Sequence, residues 1–187
     1  MNLTDEKTPE MNEYNPMQRV KRQFFAMRNG IIADTMRKAG SPFRVVFGLN
    51  LPQIVEIAAQ TGVDDELAEA LWANSTTRES MLMAPMIADR TAFDIDRARR
   101  WVATVPAAEV ADILCHRLLR HMPYAWQLAE ELADNAPTQY TGLRLVLNLL
   151  ASDPEKALLI GQRHSSTPLG RQIIEQANDT IEYTKPC

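Results

Sequence analysis

The segment at residues 67–77 recurs at residues 128–138, and this internal repeat constrains the fold more than any other sequence feature. The two copies carry Leu, Ala, Glu, Leu, Asn and Thr in register, in the pattern of a helix, an asparagine-containing turn and a second helix. A hairpin over about residues 94–120 would lie between them, giving roughly 30 residues per hairpin. The repeat predicts an all-α fold, an α-solenoid of stacked antiparallel helical hairpins. An irregular helical bundle is the alternative, because Leu, Ala and Glu are common in any helix.

Apolar residues recur at helical spacing from residue 16 onward, and we find no convincing alternation of the kind that a strand requires. Residues 1–15 differ, since they are polar and acidic and lack apolar periodicity. We therefore expect a mobile leader over residues 1–15 and a single domain over residues 16–187. Helices are predicted over residues 16–27, 31–38, 51–60, 77–88, 94–104, 107–121, 124–133, 139–151, 154–163 and 169–178, with a further helix whose first turn holds residues 64–66.

The net charge limits which partners the chain can bind. A formal charge of -4 and a pI near 5.4 argue against nonspecific nucleic-acid binding, so a nucleic-acid role needs a local basic face. The sequence has no run of about 18 uncharged apolar residues and no N-terminal signal segment, so we expect no membrane partner and a cytoplasmic location. Cys115 and Cys187 are too few for a disulfide framework or a cysteine-rich metal site.

Arginine outnumbers lysine, and many arginines lie near the ends of predicted helices. In a solenoid the second helices line one concave face, so several of these arginines would form a curved basic surface suited to phosphates. The alternative is ordinary solvated charge paired with neighbouring acids. The arginines concerned are Arg78, Arg90, Arg97, Arg99, Arg100, Arg117, Arg120 and Arg144.

The usual signatures of enzymes are absent from the sequence. It contains no glycine-rich phosphate loop, HExxH, paired CxxC or serine nucleophile elbow. His116 and His121 stand about 500° apart on a helix, which does not direct them to one metal ion. We therefore predict no metal and no cofactor. Trp72 and Trp101 fall on apolar stripes and are predicted to be core residues.

Residues 47–58 and 66–84 resemble the bacterial HEAT-repeat DNA alkylation repair proteins. That family shows a Phe/Tyr-Gly-Val turn and a short helix, then a Leu-Trp segment and an Arg/Tyr-Glu that opens the next helix. Here these features correspond to Phe47-Gly48-Leu49, Leu71-Trp72 and Arg78-Glu79. The resemblance covers about residues 43–151 and implies HEAT-like repeats.

The resemblance also implies a function. Active family members are similar to glycosylases that remove cationic 3- or 7-alkylpurines from duplex DNA bound on a concave face. Tryptophans there contact the sugar and backbone of the lesion, and an aspartate stabilises the positive charge that develops at the sugar. The matching segment is residues 108–112, which makes Asp112 the corresponding carboxylate and puts Ala108 where the family has tryptophan. By the same resemblance, Tyr140 corresponds to a second aromatic and Arg144 to a phosphate-binding arginine. From the predicted basic face, Arg78, Arg117 and Arg120 are expected as further DNA contacts.

Two functions follow as hypotheses. An alkylated-DNA glycosylase or damage-recognition protein predicts a positive concave face that binds duplex DNA in a salt-sensitive way. A non-enzymatic HEAT-like scaffold for a protein or peptide predicts an acidic or mixed face and no abasic product. The structural alternative for Asp112 is an ion pair with His116 or Arg117 along its own helix. The sequence gives no indication of an oligomeric state.

Overall fold

The computed structural model describes residues 15–184, and all regular secondary structure in this range is helical. The predicted all-α class is therefore confirmed. A single isolated bridge joins Val45 to Thr77. The predicted leader, apart from Asn15, lies outside the described residues, as does Cys187. The helices are α1 Pro16–Ala26, α2 Gly30–Lys38, α3 Leu51–Thr61, α4 Asp65–Ala73, α5 Arg78–Ile87, α6 Ile95–Ala103, α7 Ala108–Arg117, α8 Ala125–Ala133, α9 Gln139–Leu149, α10 Pro154–Arg163 and α11 Pro168–Thr184.

Side chains of asparagine and aspartate fix where most helices begin. The Asn50 side chain accepts a hydrogen bond from the backbone N–H of Gln53, and the Gln53 side-chain oxygen accepts one from the backbone N–H of Asn50, forming a capping box for α3. Asp94 and Asp153 accept from the third residue of α6 and α10 in the same manner. These bonds satisfy backbone donors that the helix itself leaves unpaired. They explain why the starts of the helices are close to their predicted positions.

The predicted ends of three helices differ from the structure. The helix predicted over 107–121 ends at Arg117, because Leu118 leaves helical geometry with ψ near -66° and φ near -126°. A 3₁₀ turn, Leu119–His121, follows, and it keeps Leu119 buried. The helix predicted over 139–151 also closes in a 3₁₀ turn, Leu150–Ser152. The last helix extends to Thr184, six residues beyond the predicted end at 178.

From α4 onward the helices recur at a regular spacing. The helices form the pairs α4–α5, α6–α7, α8–α9 and α10–α11, and equivalent helices of successive pairs begin 29 to 31 residues apart. The second helices of these pairs contact one another in succession, α5 with α7, α7 with α9 and α9 with α11, and α3 packs on α5. Side-chain hydrogen bonds accordingly join residues 32 apart, as in Trp72 to Thr104, Arg99 to Glu131 and Arg144 to Asp112.

The two predicted core tryptophans stack on each other between consecutive first helices. The rings of Trp72 and Trp101 lie 4.2 Å apart with planes 5° from parallel, and Phe93 meets Trp101 edge-on at 5.0 Å. Both indoles are buried, and their N–H groups donate to Thr104 and Glu69. The prediction that these tryptophans belong to the core is confirmed. Among the described residues, no helix is both long enough and apolar enough to cross a membrane.

Gly142 allows α9 to approach the end of α8. A Cβ atom at this position would lie 2.2 Å from the backbone nitrogen of Ala133 and 2.6 Å from the carbonyl carbon of Leu132. Because both neighbours are backbone atoms, the helices themselves would have to separate. We expect Gly142→Ala to lower the free energy of unfolding by about 3 kcal/mol, measured by urea denaturation.

The matched control is Gly30→Ala, since a Cβ at Gly30 meets nothing within 4 Å. This variant is expected to be neutral or slightly stabilising, because alanine restricts the unfolded chain more than glycine does. Equal effects of the two substitutions would show that the close approach at Gly142 does not contribute to stability.

Candidate functional site

Three residues singled out from the sequence meet at the contact between α7 and α9. Tyr140 Oη donates a hydrogen bond to Asp112 Oδ1 at 2.9 Å. Arg144 Nε lies 2.6 Å from the same oxygen, and Arg144 Nη2 lies 3.2 Å from Asp112 Oδ2. Tyr140 and Arg144 are four residues apart on α9 and therefore share one face, opposite Asp112 on α7. We call these three residues the Asp112 triad.

The Asp112 triad is partly open to solvent. The side chain of Asp112 is 36% exposed and that of Arg144 is 28% exposed. Burial raises the pKa of the Tyr140 phenol, and its hydrogen bond to Asp112 raises it further, while Arg144 acts in the opposite direction. Tyr140 is therefore a neutral donor at physiological pH. The pKa of Arg144 is also raised, because Tyr140 and Asp112 outweigh the effect of burial. The triad thus presents a hydrogen-bonded carboxylate that a ligand can still reach.

An open cleft of about 390 Å³ lies next to the Asp112 triad. Its walls are the α6–α7 connection, the start of α7 and the turn before α9. Ala108 and Tyr140 both line it, and Ala108 is one helical turn from Asp112 on α7. The small side chain of Ala108 therefore leaves the space beside Tyr140 open.

Comparison with known proteins identifies the family. The model of the DNA alkylation repair enzyme family matches residues 20–136. The chain belongs to this family. Searches of curated proteins and of solved structures gave no significant match. The matched region includes Asp112 but ends before Tyr140 and Arg144, so the family match covers only one side of the α7–α9 contact.

Within this DNA alkylation repair family member, the Phe47-Gly48-Leu49 turn is held by Glu79. The carboxylate of Glu79 is 0% exposed and accepts hydrogen bonds from the backbone N–H of Phe47, Gly48 and Leu49 at 3.1, 3.0 and 3.4 Å. Gly48 has φ +78°, and a Cβ there would lie 2.2 Å from the carbonyl oxygen of Asn29. The segment that precedes α3 is thereby anchored to the start of α5. Sequence reasoning missed this role, although a charged pair opening an apolar helix was a visible signal.

The structure places Arg78 in this anchor rather than on a surface. Its side chain is buried, and Nη1 donates to the carbonyl oxygen of Leu49 at 2.9 Å and to Glu79 at 3.1 Å. Nε donates to Glu109 at 2.8 Å, and Nη2 forms a second, shorter bond to the same carboxylate. All three guanidinium nitrogens are engaged, so a phosphate contact by Arg78 is not compatible with this structure. Arg78 therefore has a structural role in place of the predicted DNA contact.

Four other arginines of the predicted basic face form two groups. Arg97 pairs with Asp65 and Glu69, and Arg99 pairs with Asp96 and Glu131, so these charges are neutralised locally. The half-buried Arg117 and the exposed Arg120 have no carboxylate within ion-pair distance among residues 15–184. Their role as phosphate contacts stays a prediction.

Asp112 bonds across to α9 and not along its own helix. The expected partner His116 instead lies with Nδ1 3.2 Å from Asn148 Oδ1, one turn beyond Arg144. No group of three or more His, Cys, Asp or Glu side chains in the described part of the chain is arranged to hold a metal ion. Cys115 is fully buried, and burial raises the pKa of its thiol, so it is not a reactive nucleophile.

Proposed function

We propose that this protein excises cationic 3- or 7-alkylpurines from duplex DNA. The observation that carries the proposal is the Asp112 triad, in which a partly exposed carboxylate is oriented by a phenol and a guanidinium from the neighbouring helix. Membership of the DNA alkylation repair family supports DNA as the substrate. The duplex would lie along the second helices α5, α7 and α9.

The proposed chemistry needs little from the protein beyond electrostatics. An alkylated purine carries a positive charge, so the glycosidic C1′–N bond can break with its electron pair passing to the base. Positive charge then develops at the sugar, where the ionised Asp112 stabilises it. Water adds to C1′ and loses a proton, which leaves a free neutral base and an abasic site.

Tyr140 and Arg144 act as positioning residues in this scheme. The Tyr140 hydroxyl fixes one oxygen of Asp112, and Arg144 spans both carboxylate oxygens. Arg144 is also able to meet a backbone phosphate, since its side chain is partly exposed. A phosphate that drew Arg144 away would leave Asp112 with more of its negative charge for the sugar.

A HEAT-like α-solenoid is the arrangement we propose for the described helices. The spacing of 29 to 31 residues between helix pairs and the contacts between successive second helices support it. Each pair would then add one strip to a continuous binding surface. Asp112, Tyr140 and Arg144 would lie on that surface at the contact between two neighbouring strips.

Ala108 is where this chain departs from the tryptophan of the family. With alanine at this position, the cleft beside Tyr140 stays open, and Tyr140 is the aromatic residue that lines it. We propose that Tyr140 takes over contact with the sugar and backbone of the lesion. Tyr140 as a residue is 39% exposed, which leaves part of it available to DNA.

The experiment that tests the proposal measures release of 7-methylguanine and 3-methyladenine from methylated duplex DNA. The expected result is release of free base together with an abasic site in the same strand. Chromatography detects the base, and alkaline strand cleavage detects the abasic site. A folded protein that releases neither base would contradict the proposed activity.

A scaffold that binds a protein or peptide is the second candidate. It is favoured by the mixed charge on the surface of the first helices, where Arg99 pairs with Glu131 and Lys156 with Glu130. Such alternating charge is unsuited to a uniform polyanion and suits a partner of mixed charge. Absence of base release together with absence of salt-sensitive DNA binding would favour this candidate.

A further inference from the structure

Three arginines and two histidines gather at the C-terminal end of α7. Arg90, in the α5–α6 connection, donates from Nη2 to the carbonyl oxygen of Arg117 at 2.9 Å. Arg120 lies between two imidazoles, with 3.3 Å from Nη1 to His116 Nδ1 and 3.3 Å from Nε to His121 Nε2. We call these five residues the cationic cluster.

The cationic cluster holds positive charge without a local counter-charge. Across residues 15–184, no carboxylate lies within ion-pair distance of its three guanidinium groups. Asp89, the sequence neighbour of Arg90, instead accepts hydrogen bonds from the backbone and hydroxyl of Thr91. Elsewhere in the helical pairs, buried or half-buried arginines face acids. A group of like charges left together in an acidic chain is the arrangement that an anionic ligand would stabilise.

The charges of this cluster also affect the pKa of His121. Partial burial lowers the pKa of its imidazole, and the charges of Arg90, Arg120 and His116 lower it further. An anion bound among these groups would reverse the electrostatic part of this shift and raise the pKa. His121 therefore provides an internal reporter of occupancy.

An open groove of about 280 Å³ leads to the cationic cluster from α3. Arg90 and Arg117 both line it, together with apolar side chains such as Val55, Val63 and Met86. Nε of Arg117 is buried and has no hydrogen-bond partner among the described atoms. A groove therefore reaches the cluster, and one of its guanidinium N–H groups has no acceptor among the described residues.

We infer that Arg90, Arg117 and Arg120 form a phosphate-binding site. Guanidinium groups match the geometry of phosphate oxygens and keep their charge at any physiological pH. Arg117 follows Asp112 by five residues on α7, which is about 8 Å along the helix axis and about 140° around it. The inference rests on the proposed function in naming the DNA backbone as the expected source of the phosphate. A nucleotide or free phosphate is the other source of the same chemistry.

The first arm of the test uses the full chain and inorganic phosphate. We expect the imidazole NMR signals of His116 and His121 to shift saturably with phosphate at constant ionic strength, and the pKa of His121 to rise. Arg90→Ala and Arg120→Ala should each weaken phosphate binding by about tenfold or more, the loss expected for a charge-assisted hydrogen bond. Both side chains are exposed, so neither substitution removes core packing.

The control variant is Arg19→Ala, which removes an exposed arginine from α1 and should leave phosphate binding unchanged. Circular dichroism confirms the fold of each variant. The inference is overturned if phosphate produces no saturable shift, or if Arg90→Ala and Arg120→Ala bind phosphate as tightly as the unmodified protein.

The second arm identifies the source of the phosphate by measuring affinity for unmodified duplex DNA over a range of salt concentrations. If the backbone supplies the phosphate, Arg120→Ala should reduce the slope of log K against log salt by about 0.9. An unchanged slope, with phosphate binding still lost in the first arm, assigns the site to a nucleotide or free phosphate. Neither arm requires base release, so failure of the proposed glycosylase and failure of this site give different results.

Discussion

Asp112→Asn is expected to lower the rate of alkylpurine release by about 10² to 10³, the usual cost of losing one group that stabilises charge in a transition state. Asparagine has almost the same shape and keeps an oxygen that can accept the hydrogen bond from Tyr140. It lacks the negative charge that would oppose the positive charge at the sugar. The measurement is single-turnover release of 7-methylguanine from duplex DNA, with enzyme in excess.

Measuring the affinity for duplex DNA distinguishes a catalytic role of Asp112 from a purely structural one. Because Asp112→Asn removes a negative charge facing the proposed DNA surface, the variant should bind the duplex at least as tightly as the unmodified protein. Asp179→Asn makes the same chemical change on the exposed side of α11 and should leave the rate of release unchanged. An Asp112→Asn variant that releases base at the full rate would show that the carboxylate only joins α7 to α9.

Glu79→Ala is expected to lower the free energy of unfolding by about 3–5 kcal/mol. The substitution leaves three backbone N–H groups of the Phe47-Gly48-Leu49 turn without their acceptor and removes one of the two carboxylates that face the buried Arg78. Domains of ordinary stability have about 5–15 kcal/mol in total, so the variant should be largely unfolded in moderate urea. Urea denaturation, monitored by circular dichroism, measures this change in the free energy of unfolding.

Glu175→Ala is the matched control, because Glu175 lies exposed on α11. It should change the free energy of unfolding by no more than about 0.5 kcal/mol. Glu79→Gln should fall between the two, since its amide keeps one acceptor oxygen and turns an N–H₂ group toward the backbone donors. A loss below about 1 kcal/mol in Glu79→Ala would contradict the role of Glu79 as the anchor of this turn.

The family resemblance drew on residues whose structural purpose became visible only in the fold. Phe47-Gly48-Leu49 and Arg78-Glu79 are about 30 residues apart, yet they form one hydrogen-bonded unit. The predicted basic face included Arg78 as a DNA contact, but this hydrogen-bonded unit buries it. Those residues join the segment before α3 to the start of α5. The proposed chemistry lies one helix pair further along the chain, on α7.

Because they depend on local interactions, the all-α class, the starts of most helices and the burial of the tryptophans were predictable from the amino-acid sequence. A cap such as Asn50 acts within one turn, and the stripe that contains Trp72 repeats every few residues, so both are readable from the chain. Which charged side chains meet depends on the packing of the helices. Asp112 had candidate partners on its own helix, but the packing of α7 on α9 gives it Tyr140 and Arg144, 28 and 32 residues away. Tertiary packing also brings Arg90, Arg117 and Arg120 together with no carboxylate of residues 15–184 in ion-pair distance. The partner of a charged side chain depends on how helices lie against each other and not on their order in the chain.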